Sequence, residues 1–388
     1  MLLLATMSIT ASLPTIGDVA TGTGAPTRRP LLGVNLHPLQ DVYAIYPPDQ
    51  LLDRTVEAGA SVVRIDVHWD WLEWTGPGVD QWDPDQIQRL EAFLDSARRH
   101  QVQVLAVVMD TPCWASSDPA KVCGPTDARY NWREPPTNSS DFASFLSRLA
   151  WRYRGQIQYW EIWNEPNLPQ FWTHPDPVAY ADLLRAAYPA IKTADPTAVV
   201  LAGALAPIEP GNPGIDTFRF VDAMYAAGAL GYFDALSFHP YSNGQPPLLD
   251  QPAWRAHSIA QAVPALRAAM LRTGDPRPIW LTEAGWPTAS PCSGCAPEPF
   301  LTTEANQATY LADEVRLVST WDYVAGFIWY ELFDRGPAWA PSPEDHFGLF
   351  RHDLTPKPAA QVLRSISQGA TDRGNAGSSG LATAPAQP

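Results

Sequence analysis

The chain has 388 residues, of which 17% are charged, and a net charge of −15. That length can bury a large core, and so acidic a balance, with no basic block, excludes nucleic acid and an anionic membrane surface as partners. The 16 tryptophans and 40 prolines set the composition apart, since prolines fix loop shapes and flat indole faces serve either a core or the C–H faces of sugar rings.

Residues 1–30 open on "MLLLATMSITASLP" and continue through Gly, Thr and Ala. They read as a signal-like segment or a disordered arm, without the positive n-region because the first basic residue is Arg28. The stretch is too short to span a bilayer, and no other is long and apolar enough. From residue 31 onward, short apolar runs alternate with helical patterns. The expected strands are LLGVNLH (31–37), SVVRIDV (61–67), VQVLAVVM (102–109), IQYWEIW (157–163), AVVLAGAL (198–205), FDALSFH (233–239), PIWLTE (278–283) and VAGFIWY (324–330). Between the second and third, "DPDQIQRLEAFLDSARRHQ" puts Ile87, Leu90, Leu94 and Ala97 on one helical face. A last helix begins in "TPKPAAQVLRSIS", whose prolines suit a first turn.

Eight strands, each followed by a helix and apolar on both faces, describe a closed parallel (β/α)8 TIM barrel better than an open sheet. No G-x-G-x-x-G or P-loop follows a strand. One catalytic-type domain is expected over 31–368, with the Gly/Ala/Ser-rich 369–388 a disordered tail. In such a barrel, chemistry gathers on the loops after the strands. Three of these are long (110–138, 284–301 and 331–354), and two carry the cysteines, Cys113 with Cys123 and Cys292 with Cys295. Four cysteines allow three connectivities, and spacing favours the two local disulfides, which fit a secreted or extracytoplasmic protein. Free thiols, or a redox or zinc role for the C-x-x-C, are the alternatives, although the second pair that zinc needs is missing.

Strand 4 ends in Asn164-Glu165-Pro166-Asn167. Neighbouring strand residues face opposite ways, so Asn164 and Glu165 both reach the mouth only if the strand stops there. Pro166 removes a ladder donor and is expected to hold Glu165 extended. Strand 7 ends in Glu283, three strands round the ring and nearly opposite. Two carboxyls reaching in from those walls can approach to about 5–5.5 Å, the separation of a retaining glycosidase.

WNEP after strand 4, TE-x-G-W after strand 7, V-R-x-D on strand 2 and F-H-P-Y on strand 6 together resemble clan A glycoside hydrolases. Within that clan the chain most resembles glycoside hydrolase family 39, of β-xylosidases and bacterial exopolysaccharide endoglycosidases, over roughly residues 31–365; family 5 is the nearest competitor. The resemblance implies a retaining mechanism on β-linked O-glycosides, with Glu165 as acid/base and Glu283 as nucleophile. It implies that Arg64 and Tyr241 hold Glu283, that Asn164 binds the sugar 2-hydroxyl and that His239 lines the floor. It also implies that Trp329 lies under the reactive sugar, often before a cis peptide bond.

Other residues carry two readings. Asn35 and His37 end strand 1 and either touch substrate or pack. Trp69, Trp114 and Trp286 follow strands 2, 3 and 7 and serve stacking or core. Asp66, His68 and Glu73 reach the cleft or the surface, and Glu161 reads as an ion-pair partner of Arg64. A carbohydrate, oligo- or polysaccharide, is the expected partner, with no cofactor and no metal. A metal-dependent barrel hydrolase is disfavoured because the eight histidines include no H-x-H. A non-catalytic sugar-binding barrel and a family 5-like endoglucanase remain as alternatives.

Overall fold

The computed structural model describes residues 29–41, 43, 45–118, 133–250, 255–288 and 300–376. Eight strands pair in parallel and in sequence order into a closed barrel: β1 (Leu31–Leu36), β2 (Val62–His68), β3 (Gln103–Met109), β4 (Tyr159–Ile162), β5 (Val199–Leu205), β6 (Ala235–Phe238), β7 (Ile279–Ala284) and β8 (Val324–Trp329). Six fall within the expected runs, and β2 and β7 each continue one residue past theirs, to His68 and Ala284. The helices are α1 (Pro48–Glu57), the short turn α2 (Trp69–Leu72), α3 (Pro84–Arg99), α4 (Ser139–Arg152), α5 (Pro177–Ala194), α6 (Thr217–Ala226), α7 (Ile259–Arg272), α8 (Glu304–Val318) and α9 (Pro358–Ala376). The last runs beyond the expected domain end at 368.

Local sequence explains where the helices begin. Asp83 caps α3, accepting from the N–H groups of Asp85 at 3.0 Å and Gln86 at 2.9 Å, and Pro84 occupies the first turn where its missing donor costs nothing. Leu90, Phe93, Leu94 and Ala97 then bury one face against the barrel. Asp176 and Pro177 start α5 in the same way.

The barrel interior is layered. Val62, Leu105, Leu201, Ala235, Trp280 and Ile328 form an apolar plug at the amino-terminal end. Two residues further along β2 the inward side chain is Arg64, and two further along β4 from Tyr159 it is Glu161. Both are buried, so a polar layer sits on the plug and below the mouth. No helix among the described residues is long and apolar enough to cross a membrane.

The plug depends on a gap. A Cβ at Gly326 would lie 2.1 Å from the Trp280 ring, a rigid group held 3% exposed in the core. Gly326→Ala should therefore cost about 1–3 kcal/mol by overpacking, seen as a lower urea midpoint with an unchanged m-value.

Candidate active site

Strand β4 stops at Ile162, and the chain then leaves extended geometry. Trp163 and Glu165 have φ of 69° and 43°, so Glu165 is left-handed rather than extended as Pro166 suggested. Hydrogen bonds from both neighbouring strands impose this. The Trp163 N–H donates to Val108 O at 2.9 Å, and the Glu165 N–H donates to Ala204 O at 3.0 Å. Such non-glycine positions cost on the order of 1–3 kcal/mol each, and the effect is to bring Asn164 and Glu165 together onto one cleft.

Arg64 anchors the floor. Its Nε donates to Glu161 Oε2 at 2.6 Å, Nη1 to Asn35 Oδ1 at 3.0 Å and Glu283 Oε1 at 2.7 Å, and Nη2 to Asn164 Oδ1 at 2.8 Å. Asn35 is set by donating to the carbonyls of Thr282 at 3.1 Å and Trp329 at 3.3 Å. Glu283 receives a second bond on its other oxygen, from the Tyr241 hydroxyl at 2.7 Å. Glu165 Oε1 lies 2.8 Å from His239 Nδ1, and that nitrogen is 3.7 Å from Glu283 Oε2.

Burial raises both carboxyls above the usual carboxylate range, but different partners oppose it. Arg64 and Tyr241 pull Glu283 back, whereas His239 is the main counterweight on Glu165. Burial also lowers His239, and it raises the Tyr241 phenol, with the Glu283 charge adding to the rise. Arg64 is held above its ordinary value, because Glu161 and Glu283 outweigh the burial that works against its charge.

The two glutamates open onto a cleft of about 1440 Å³ whose wall includes His37, Asn164, Tyr241 and Tyr330. Arg64, Asn35 and His239 lie beneath the wall and hold it. The expected tryptophans do not reach it. Trp329 is fully buried against Trp286, their ring centroids 5.9 Å apart, and its Nε1 donates to Phe347 O at 3.2 Å. Tyr330, one residue on, faces the cleft instead, and the cis peptide joins Tyr330 to Glu331. Trp286 donates to Ser242 Oγ at 2.9 Å; Trp69 donates to Glu73 Oε2 and Trp114 to Glu73 O, each at 2.8 Å. Glu73 is fully buried, so this group is packing under the loops. Trp71, Trp74, Arg335, Glu344 and Phe347 line the cleft, unforeseen from the sequence; only the cluster "HWDWLEW" hinted at the first two. Cys113 opens a 3-10 turn and is not a free thiol; Cys123, Cys292 and Cys295 lie outside the described residues.

Two single histidines each meet a pair of carboxylates. Among the described residues, two groups bring donor atoms within 4.8 Å of one another, Glu165–His239–Glu283 and His68–Asp70–Asp110, a spacing that can also accept a cation.

The family model described as Cellulase (glycosyl hydrolase family 5) matches residues 20–323. The chain belongs to that family. It is therefore a glycoside hydrolase of clan A, as the strand-end motifs implied. No curated protein matches by sequence. Solved structures share its fold from both families named by the motifs. A family 39 glycoside hydrolase from the gut symbiont Bacteroides cellulosilyticus WH2 has 23% identity and a TM-score of 0.63, over 87% of this chain and 64% of that one. The hydrolase thus spans just under two thirds of that protein's length. A GH39 β-xylosidase from Caulobacter crescentus has 17% identity and a TM-score of 0.61, over 88% of this chain and 72% of that one. GH5_18 from Streptomyces cattleya, solved with GlcNAc, has 22% identity and a TM-score of 0.64, over 93% of this chain and 83% of that one.

Replacing the buried guanidinium tests how the glycosidase floor is held. Arg64→Met leaves Glu161 and Glu283 without their cation and should cost about 3–5 kcal/mol. Glu283, already raised by burial, then rises further. A carboxyl raised on folding stabilises the fold below its unfolded pKa and loses that contribution as pH climbs through the folded one. The deficit should therefore be smaller near about pH 5 than near about pH 8 in urea unfolding; an equal deficit at both would refute the charge argument.

Proposed function

We propose that this glycoside hydrolase is a retaining enzyme that cleaves β-linked O-glycosidic bonds in oligo- or polysaccharides by double displacement. One observation carries the reading: an oxygen of Glu165, an oxygen of Glu283 and a nitrogen of His239 lie within 4.8 Å of one another. Retaining enzymes hold their carboxyls about 5–5.5 Å apart, whereas inverting ones need about 6.5–9.5 Å to admit a water between them.

The partners assign the roles. Glu283 has a donor on each oxygen, one of them a cation, and so is held as the anion that attacks. Glu165 has one imidazole neighbour that burial keeps neutral, so it can hold a proton. In the first step the Glu165 O–H gives its proton to the glycosidic oxygen while a Glu283 oxygen attacks the anomeric carbon. The C–O bond breaks, the leaving sugar departs as an alcohol and an ester to Glu283 remains. In the second step the Glu165 carboxylate takes a proton from water, whose oxygen displaces Glu283 from the same carbon and restores the original configuration. Because Asn164 Oδ1 is occupied by Arg64, its amide nitrogen is left to donate to the sugar 2-hydroxyl, a bond that tightens as the ring becomes oxocarbenium-like.

Kinetics on aryl β-glycosides test this. Glu283→Ala should lose at least about 10⁴-fold in kcat, and Glu165→Ala about 10²–10⁴-fold in kcat/KM toward substrates with poor leaving groups. Added azide should yield the α-glycosyl azide from Glu283→Ala and the β-glycosyl azide from Glu165→Ala. The pH profile of kcat/KM should be bell-shaped, falling at acid pH as Glu283 is protonated and at alkaline pH as Glu165 ionises. The alkaline limb should vanish in Glu165→Ala. Background release by both wild type and Glu283→Ala on every glycoside tried would overturn the assignment.

The same reading makes the enzyme an exported one, with Cys113 bonded to Cys123 and Cys292 to Cys295. It is supported by the engaged state of Cys113 and by the short loops those pairs would close. A non-reducing peptide digest should yield both linked pairs by mass; crossed or unlinked peptides would contradict it.

A further inference from the structure

Glu165 is held from behind the cleft by an irregularity in β5. Strand β4 pairs regularly with β5 as far as Ile162 beside Ala202. Between Ala202 and Leu205 the register of β5 against β6 then shifts, because β5 carries one more residue there than its partner. Gly203 and Ala204 make this bulge, with φ of 110° and 49°. A Cβ at Gly203 would lie 2.7 Å from Ser237 O, so the position requires glycine. The Ala204 carbonyl is the acceptor for the Glu165 N–H at 3.0 Å, and Leu205 O accepts from the His239 N–H at 2.9 Å. The acid/base turn and the imidazole beside it therefore both hang on the exit of β5.

Two side-chain hydroxyls, both fully buried, bond the amides of the bulge. The Gly203 N–H donates to the Tyr180 hydroxyl at 2.7 Å, and that hydroxyl donates to Ile162 O, also at 2.7 Å. The Ala204 N–H donates to Ser237 Oγ at 2.7 Å, and Ser237 donates to Ala202 O at 3.2 Å. Tyr180 reaches in from α5, its ring packed against Phe220 and Trp172 with centroids 5.8 and 6.2 Å away. Its hydroxyl works as a spacer. Two bonds meeting at one hydroxyl oxygen keep the Gly203 nitrogen and the Ile162 oxygen roughly 4–5 Å apart, against about 2.9 Å for a direct ladder bond. Without that oxygen, β5 must close on β4 or leave two buried backbone groups unpaired, at about 1–3 kcal/mol each. Glu283 takes its bonds from Arg64 and Tyr241 instead, so the spacer bears on one carboxyl of the two.

We propose that Tyr180, buried behind the cleft wall, is a positioning residue for the acid/base: its hydroxyl spaces β5 from β4 and so sets the Ala204 carbonyl that holds Glu165 in its turn. The proposal rests on the retaining-glycosidase reading for the step it affects, proton transfer at the glycosidic oxygen, but the geometry is testable without turnover. Loss of the hydroxyl shifts the Glu165 carboxyl against the leaving oxygen while the nucleophile stays in place. A misplacement of about 1 Å is enough to cost about 10²-fold. Leaving groups that depart without a proton are spared.

Full-length Tyr180→Phe protein is compared with wild type and with Tyr225→Phe. The latter is a control, because it removes a buried hydroxyl of α6 that bonds Asp275 at 2.6 Å and does not line the cleft. On aryl β-glycosides, Tyr180→Phe should lower kcat/KM about 10–100-fold for the phenyl glycoside and leave the dinitrophenyl glycoside within about 2-fold. Added azide, which needs no general base, should restore kcat on the dinitrophenyl glycoside. The control should leave the ratio between the two glycosides at its wild-type value. Ser237→Ala, a smaller change at the same bulge, should move the ratio in the same direction and decides the matter if Tyr180→Phe does not fold. A crystal structure of whichever variant folds should show the Glu165 N–H out of hydrogen-bond reach of Ala204 O, with the Arg64 bond to Glu283 intact. Equal losses on both glycosides, a ratio unmoved in the folded variants, or an unmoved Glu165 turn would overturn the proposal. A displaced turn in a chain whose wild type is inactive on every glycoside would sink the retaining-glycosidase reading and leave the hold of Tyr180 on Glu165 standing.

Discussion

A guanidinium buried inside a closed barrel governs the rest of this molecule. Arg64 is 1% exposed and ties β1, β2, β4 and β7 together through Asn35, Glu161, Asn164 and Glu283. Removing a charge from water costs several kcal/mol, and buried ion pairs seldom return more than they cost. The value of the arrangement is therefore geometric. Five donors in a rigid fork hold four side chains from three other strands at set distances, and two of those side chains, Asn164 and Glu283, form the cleft floor. The apolar plug beneath gives the fork a fixed base, with Trp280 seated in the gap left by Gly326.

Two glutamates of equal chemistry stand within reach of one another, and environment alone separates them. Both are buried, and burial pushes both toward the neutral form. The difference lies in what each oxygen meets: a cation and a phenol for Glu283, a neutral imidazole for Glu165. That pattern, one carboxyl given donors and the other given a protonatable setting, is what acid and nucleophile chemistry on one sugar requires. The backbone serves the same end, because the left-handed turn at Trp163 and Glu165 converts a strand ending into two neighbouring cleft residues.

The cleft is also polarised along its length. Its β2 and β3 side is acidic, with indoles, and its β8 side holds Arg335 within an ionic and phenolic cluster that also contains Tyr43, Tyr330 and Glu331. Burial lifts Glu331 to about 8 despite Arg335 beside it. Charge is thus spent within the walls on fixing side chains, and the groups left to meet a ligand are mostly hydrogen-bond acceptors and aromatic faces.

Much of this was legible in the chain itself. Short runs apolar on both faces, repeated eight times between helical stretches, specify parallel strands, and a count of eight closes them. Because side chains alternate within a strand, the inward positions of Arg64, Glu161 and Glu283 follow from their places in β2, β4 and β7, and the hub with its two acids could be anticipated. Orientation past the last strand residue has no such period. Trp69, Trp114, Trp286 and Trp329 were candidates for the cleft and turned into the core, while Trp71, Trp74 and Tyr330 took the cleft wall. Glu165 took a left-handed φ that its proline neighbour argued against, because carbonyl oxygens on β3 and β5 accept from the Trp163 and Glu165 N–H groups and hold the turn there. His68 and Asp110 stand 42 residues apart in the chain and meet only because parallel register aligns the ends of two strands. Local pattern sets what a strand buries; where a loop side chain points is set by contacts with residues distant in sequence, and those exist only once the barrel has closed.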